Sequence, residues 1–518
     1  MYLTQGLHRA VQQFPDRLAT IQDDRRTSYR ELGERCARLA GALQRAGVKP
    51  GDRVGLLALN SDFHTEYFLG CWWAGAVCVP VNTRWSEQEI IYSLDDSDTA
   101  LLFVDDAFAP MAASLLQGAR ALQTVVHLGQ AETPEGVTAF GDWLHEAPQV
   151  EDCRRGGDEM ATILYTGGTT GFPKGVMLSH RNLWSSAVAR MAEGEPLRHH
   201  VSLYVAPLFH TASLGKLISQ IMVAGTSVAV PAFRVEEVMA LISRERINDV
   251  VLVPSMIQMM LDHPAFADYD LDCLERITYG ASPIALAVLE RAMKAFPKAQ
   301  FSHAYGMTET APVISINPWF NHLPEAWESG IVRSAGRAGL CVEVRIVDED
   351  DNEVPRGTVG EVIARGPNVM LGYWKKPEAT AEALRNGWMH TGDGGYMDEN
   401  GYLYIVDRIK DMIISGGENV YSAEVENILA RHEAVQACAV IGVPSEAWGE
   451  AVHAVVVKRE GVSVTAETLQ AFCRECLAGY KVPKSVEFVE ALPMSGPGKV
   501  LKHVLREPYW KGRERQVS

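Results

Sequence analysis

The run Tyr165-Thr-Gly-Gly-Thr-Thr-Gly-Phe-Pro-Lys-Gly175 carries the clearest chemistry in this 518-residue chain. Glycines let backbone N–H groups approach an anion, hydroxyls add donors and Lys174 adds charge. Thr166, Gly167, Gly168, Thr169, Thr170, Gly171 and Lys174 therefore read as a phosphate-binding loop. It is not a Walker loop, which needs Gly-Lys followed by Ser or Thr; here Lys174 lies between Pro173 and Gly175. Cys473 and Cys476 also have ligand spacing, but the sequence holds no second CxxC, and both fall in an amphipathic pattern with Leu469, Phe472 and Leu477. They read as helix-face cysteines rather than zinc ligands.

The loop follows a strand pattern, Ala161 to Tyr165, and the elements around it predict how it is held. Ser28 to Glu31 is a capping box ahead of Leu32, Cys36, Leu39 and Leu43 at helical spacing, closed by Gly47 and Pro50. Strand patterns at Val54 to Ala58, Ala76 to Val81, Val201 to Ala206, Ser227 to Val230 and Asp249 to Val253 alternate with helical stretches. That alternation predicts parallel sheet covered by helices. After Gly330, short strands and Gly-rich turns predict a β-rich subdomain, as in Val342 to Val347 and Gly360 to Arg365. From about Arg408 the pattern is helix (423–431), strands (437–441, 453–457), helix (466–477) and a closing strand (486–488). The expected fold class is α/β: a large N-terminal domain of α/β layers with a β-rich subdomain, residues 1–408, and a small α+β C-terminal domain, residues 409–518.

Composition agrees, at 47% apolar and 22% charged residues, which excludes a disordered or coiled-coil chain. A net charge of −17 argues against nucleic acid or an acidic membrane surface as main partner. From Lys481 onward the balance turns basic, 8 Lys and Arg against 4 acidic residues, which suits a small phosphorylated ligand. Nine scattered cysteines and a charged start suggest a reduced, cytoplasmic setting without a signal peptide. The longest apolar stretch, Phe68 to Val81, has 14 residues with two Gly and a Pro, short of the ~20 of a spanning helix.

Eight ordered blocks carry a resemblance: YTGGTTGFPKG (165–175), PLFH (207–210), YGASP (279–283), HAYGMTE (303–309), GxxGEVIARGPNVMLGYW (357–374), GWMHTGDGGY (387–396), DRIKDMIISGGENVYSAEVE (407–426) and GPGKVLK (496–502). With them the chain resembles the adenylate-forming superfamily, which includes acyl- and aryl-CoA synthetases, luciferases and the adenylation domains of peptide synthetases. One departure is Gly167, where many members have Ser; a hydroxyl donor is lost and the backbone donors remain.

The resemblance implies a reaction using ATP, Mg²⁺ and coenzyme A. A carboxylate is a poor acyl donor because its leaving group is oxide, so it first attacks the α-phosphate of ATP and becomes a mixed anhydride with AMP. Cations and oriented donors stabilise that transition state and the departing pyrophosphate. By resemblance Lys499 bridges carboxylate and α-phosphate, Glu309 with Thr166 holds Mg²⁺, and Thr308 contacts phosphate. Asp393 would grip the ribose diol with Arg408 as a second contact. Tyr305 would stack on adenine, His303 would contact it, and Gly280, Ala281 and Ser282 would line its other face. Thiol attack requires Lys499 to leave, so the resemblance implies a mobile C-terminal domain pivoting on Lys410. Ser415, Gly416 and Gly417 would then line a pantetheine tunnel, with Tyr480 on the CoA adenine and Lys481 and Lys484 near its 3′-phosphate.

The acyl pocket is read from His210, Thr211, Ala212, Val253, Met256, Ala281, Ala304, Gly306 and Val313, which are mostly small and apolar. His210 follows Phe209 where amino-acid-activating members carry Asp, so a monocarboxylic acid with an apolar body, fatty or aromatic, is expected. Leu214 occupies the offset of a Trp gate found in some long-chain members. Three readings follow: a carboxylate–CoA ligase, an adenylating enzyme that loads a carrier protein, and a non-catalytic acyl- or nucleotide-binding relative. Joint retention of Lys174, Glu309, Asp393 and Lys499 argues against the third. A homodimer is common in the family, and no residue here specifies one.

Overall fold

A computed structural model describes residues 1–166, 173–193, 199–282, 284–415, 418–445, 447–494 and 500–511. Among them the strands form four sheets. One runs in the order Arg337–Ala338, Ser315–Asn317, Gln300–Tyr305, Arg276–Gly280, Asp249–Leu252, Val201–Tyr204, Thr226–Ala229, Leu18–Gln22, Arg25–Ser28. Its middle is parallel and its two ends antiparallel. A second joins Gly372–Tyr373, Lys174–Ser179, Met160–Thr166, Val77–Pro80, Arg53–Leu57, Leu101–Val104, Thr124–His127 and Thr138–Ala139. Helices such as Tyr29–Arg45 and Phe63–Ala74 bury their apolar residues in one large cluster with both sheets, so the expected layers are present. The capping box is present too: Ser28 Oγ accepts from Glu31 N while the Glu31 carboxylate accepts from Ser28 N.

The β-rich part is the antiparallel sheet Glu343–Val347, Gly360–Arg365, Met389–Met397, Leu403–Arg408. Beyond it, Ile413–Ser415, Glu418–Val420, Val435–Ser445, Gly449–Lys458 and Ser485–Val489 form the last sheet, packed on helices Ser422–Leu429 and Ala466–Cys476. Cys473 is buried and Cys476 exposed on the second of these helices, as helix-face cysteines should be. No helix among the described residues is long and apolar enough to cross a membrane. Phe68 to Val81 is the end of a buried helix followed by the strand Val77–Pro80.

The phosphate loop has a different setting from a strand that feeds directly into a helix. Met160–Thr166 pairs antiparallel with Lys174–Ser179, Thr166 opposite Lys174, so the loop is the turn of a β-hairpin. The chain runs as the strand Lys174–Ser179 before helix His180–Glu193 begins. Loop residues Gly167, Gly168, Thr169, Thr170 and Gly171 lie outside the described residues, as do Gly416, Gly417 and Lys499.

At the opposite crevice wall, the carboxyl ends of Arg276–Gly280 and Gln300–Tyr305 lie side by side, where open α/β sheets bind ligands. Gly280 faces Ala304 so closely that a Cβ would strike the Ala304 carbonyl oxygen. A Cβ on Gly306 would strike the Pro312 carbonyl oxygen, so the turn into Thr308–Thr310 depends on glycine there.

Candidate active site

Asp393 lies in the strand Met389–Met397 directly opposite Arg408 on Leu403–Arg408, and it is 6% exposed. Its Oδ1 takes an ion pair from Arg408 Nε at 2.6 Å, and its Oδ2 accepts from Tyr305 Oη at 2.7 Å. Asp393 N donates to Thr391 Oγ1, which itself donates to Val362 O, fixing the strand beneath the carboxylate. The Asp393 carboxylate holds the Arg408 guanidinium above its usual range. Burial, then Asp393, raise the Tyr305 phenol well above its own. Three residues expected around the nucleoside therefore form one unit, with Tyr305 positioning the acidic group.

Glu309, four residues on, is buried in the Thr308–Thr310 turn beside Thr308. Its Oε1 accepts from Tyr373 Oη at 2.9 Å, and its carbonyl accepts from Met370 N at 2.8 Å. Tyr373 is paired with Val176, and the Lys174 ammonium stands 5.0 Å from the centre of its ring. Tyr373 thus links the loop lysine to the acidic residue. It is the middle residue of the GYW that closes a recognised block, and nothing in that spacing assigns it a role. Thr166 Oγ1 lies 3.5 Å from Lys174 O at the mouth of the hairpin. Tyr165 donates to Asp96 Oδ2 and Trp374 to Asp96 O, which fastens the base of the loop.

Removing the Tyr373 hydroxyl takes away one hydrogen bond to an ionised group, worth about 1.5 to 3 kcal/mol. With Glu309 as the expected Mg²⁺ ligand, Tyr373→Phe should lower acyl-adenylate formation about tenfold and raise the Mg²⁺ concentration needed for half-maximal rate. Pyrophosphate exchange titrated with Mg²⁺ checks this; an unchanged Mg²⁺ dependence would count against the link.

His303 stacks on Tyr279 at 5.0 Å, and burial holds its pKa down to about 4, so at neutral pH it offers hydrogen bonds without charge. Ala281 and Ser282 follow Gly280 at the crevice, Ala281 with φ +67°. Of the acyl-pocket residues, His210 precedes the helix Thr211–Met222 with its ring 4.3 Å from that of Phe209. Thr211 and Ala212 form that helix's first turn. Thr211 Oγ1 is buried with no hydrogen-bond partner among the described residues. Val253 and Val313 are buried, and Ala304 and Gly306 sit at the end of Gln300–Tyr305. Met256 packs into the cluster holding Ile277 and Tyr279, across the sheet from the Thr211–Met222 helix. Leu214 is buried in the large core cluster.

In the C-terminal part, Ser415 is buried at the end of Ile413–Ser415. Tyr480 packs against that domain's core, Lys481 is paired with Glu424 at 2.7 Å, and Lys484 donates to Gly479 O. Lys484 Nζ also stands 5.1 Å from the ring of Trp448, an exposed aromatic the sequence reading passed over. Lys410 lies in the turn Ile409–Asp411 right after Arg408, and burial lowers its ammonium below the usual range. Arg506, on the helix Lys502–Trp510 that follows Lys499, donates to Lys410 O at 3.0 Å and pairs with Asp411 Oδ1 at 2.5 Å.

Residues 7–374 match the family described as AMP-binding enzyme, and residues 424–499 match the AMP-binding enzyme C-terminal domain. A feruloyl-CoA synthase of an Amycolatopsis species is 41% identical over 93% of this chain and 94% of its own length. The fatty acid–[acyl-carrier-protein] ligase ScoC of Streptomyces coeruleorubidus is 37% identical over 98% and 96% of the two chains. Among solved structures, the anthranilate CoA ligase AuaEII in complex with anthranoyl-AMP matches with a TM-score of 0.91 at 26% identity, covering 98% of this chain and 97% of that one. Both parts of the molecule are shared at near full length, so the chain belongs to the AMP-binding enzyme family, the adenylate-forming group that holds the acyl- and aryl-CoA synthetases.

Proposed function

We propose that this enzyme is an ATP-dependent carboxylate–CoA ligase that makes acyl-CoA, AMP and pyrophosphate through an acyl-adenylate. The observation that carries the reading is the meeting of two clusters at the sheet's carboxyl edge: Asp393 with Arg408 and Tyr305, and Glu309 with Tyr373 and Lys174. The first offers a ribose diol a carboxylate whose geometry two donors fix. The second sets a carboxylate and an ammonium beside a loop built for phosphates. A feruloyl-CoA synthase and an anthranilate CoA ligase among the relatives support CoA as acceptor.

Glu309 with Thr166 suits Mg²⁺, because a single buried carboxylate and a hydroxyl leave positions for phosphate oxygens and water. When bound, the metal neutralises phosphate charge. The chain's own part is to orient. Lys174 and the loop hold the β- and γ-phosphates, Asp393 holds the ribose, and Lys499 draws the acid's oxygen onto the α-phosphate. The C–O–P anhydride forms as the bond from the α-phosphorus to pyrophosphate breaks. Residues 409–518 then turn about Lys410 to replace Lys499 by the Ser415–Gly417 segment, and the CoA sulfur displaces AMP.

Arg506 ties the Lys499-bearing end of that domain to the hinge. Arg506→Ala should slow adenylation about tenfold, the worth of one charged hydrogen bond, while supplied acyl-AMP is still converted at a rate within about threefold of wild type. Separate assays of the two half-reactions check it; equal slowing of both would reject the brace.

ScoC, a fatty acid–[acyl-carrier-protein] ligase, keeps carrier-protein loading as a second reading, because the adenylating half is common to both. Thioester formation with ATP, Mg²⁺ and CoA across benzoates, cinnamates and straight-chain acids, with pyrophosphate followed in parallel, tests the proposal. Thioester with one acid class supports it. Pyrophosphate without thioester points to a carrier protein, and neither signal with any acid would overturn both readings.

A further inference from the structure

Below the acyl pocket, the interior between the large sheet and the Thr211–Met222 helix is polar. Parallel sheets under helices normally present apolar side chains on both faces. Here Ile277 and Tyr279 point into the apolar cluster on one side, while Arg276 and Thr278 face the helix. Neighbouring strands bring Asp249 beside Arg276, and Ser302 beside Thr278. A cavity of about 40 Å³ lies there, lined by the polar Arg190, His200, Lys216, Ser219, Arg276 and Thr278 and by the apolar Met191 and Val223. It is large enough for roughly three waters or one carboxylate-sized group.

Two elements run from the acyl pocket to this cavity. On the helix, Ala212, Lys216 and Ser219 share a face at i, i+4 and i+7, so the cavity starts about 6 Å and extends about 10 Å below Ala212. On the strand, Thr278 is about 7 Å and Arg276 about 13 Å below Gly280. Arg190, Lys216 and Arg276 supply the cavity's cations. Lys216 pairs with Asp249, whose same oxygen also accepts from Ser202 Oγ. Arg190 donates to Gly215 O at 3.2 Å and Ser219 Oγ at 2.8 Å, both neutral acceptors. Burial brings Arg190 down to about 10, and burial together with the neighbouring guanidinia brings Lys216 to about 8 against the opposing pull of Asp249. Asp249 already faces Lys216, His200 and Arg276, so a second acceptor in the cavity would add to that pairing chiefly at Arg190.

We infer that the acid activated by this enzyme carries an oxygen acceptor at its far end, a keto, phenolic or carboxylate oxygen, which Arg190, Lys216 and Arg276 bind in this cavity about 10 Å beyond the crevice. The inference rests on the ligase reading and adds the substrate's distal chemistry to it. An apolar middle passes Ala212, Ala304 and Val313, and the oxygen ends among the cations.

The test compares acids matched in length and differing only at the far end: hexanoic to dodecanoic acids, their (ω−1)-keto forms, adipic to dodecanedioic acids, and cinnamic against 4-hydroxycinnamic acid. Acyl-CoA formation is measured for wild type, Arg190→Met and Arg190→Lys. The readout is the ratio of kcat/KM for oxygenated over plain acid within each protein, so loss of folded enzyme cancels. Wild type should favour an oxygenated acid at least tenfold at one chain length; Arg190→Met should bring that ratio near one, and Arg190→Lys should retain most of it. Plain acids used as well as oxygenated ones at every length would overturn the inference and leave the ligase reading standing. So would a ratio untouched in Arg190→Met. Plain-acid turnover that rises with added chloride or phosphate in wild type alone would mean a free anion fills the cavity, also against the inference. Acyl-CoA from none of these acids and from none of the benzoates and cinnamates would bring down the ligase reading itself.

Discussion

Lys499→Ala should lose acyl-adenylate formation by about a thousandfold, the cost of removing a charge that acts only in the transition state, yet still convert supplied acyl-AMP and CoA to thioester. The contrast follows from where Lys499 sits in the chain. The ends of its segment are pinned by the Met494–Val500 bridge and by Leu501 N on Pro493 O at 2.8 Å. The helix after it is held by Lys502 on Glu426 at 2.8 Å and by Arg506 on the hinge. On the proposed domain rotation Lys499 travels with residues 409–518, present for one half-reaction and absent for the other. Gly417→Leu should show the reverse, since a side chain there would fill the pantetheine path. Separate measurement of ATP–pyrophosphate exchange and of thioester from supplied adenylate reads both. Equal loss of both half-reactions in both variants would contradict the rotating domain.

Asp393→Asn should lower kcat/KM for ATP about a hundredfold, close to 2.7 kcal/mol. The amide keeps the volume but removes the charge that pairs with Arg408 and leaves a guanidinium with 37% side-chain exposure without its carboxylate. A fully buried broken pair costs about 3 to 5 kcal/mol, and partial exposure reduces that. Ribose also loses an ionised acceptor. The effect should fall on ATP and spare CoA, because Asp393 belongs to the N-terminal sheet. Steady-state kinetics with each co-substrate varied tests this, and a matching rise in KM for CoA would mean that Asp393 holds the domains rather than the nucleotide.

The elements were legible where local chemistry decides them. The Ser28 and Glu31 capping box starts its helix as its spacing requires, and the strand patterns at Val54, Ser227 and Asp249 became strands within two residues of their expected limits. What sequence distance hides is which side chains meet. Tyr373 and Glu309 are 64 positions apart, and neither belongs to a local pattern that announces the hydrogen bond between them. Arg190, Lys216, Asp249 and Arg276 come from two helices and two strands, and each alone looks like an ordinary charge. Only the register that sets Asp249 against Arg276 gathers them. The hairpin around the phosphate loop was hidden for a similar reason, since Val176 and Leu178 read equally well as strand or helix until paired with Leu164 and Thr162. Trp448 escaped because one exposed aromatic outside the recognised blocks carries no spacing signal.

The most direct measurement follows heavy oxygen from the acid. An acid labelled in both carboxylate oxygens is turned over with ATP, Mg²⁺ and CoA, and the AMP and pyrophosphate are weighed by mass spectrometry. If the carboxylate attacks the α-phosphate and the CoA sulfur then breaks the acyl–oxygen bond, AMP gains one labelled oxygen and pyrophosphate gains none. Unlabelled AMP, or label in pyrophosphate, would contradict the adenylate account.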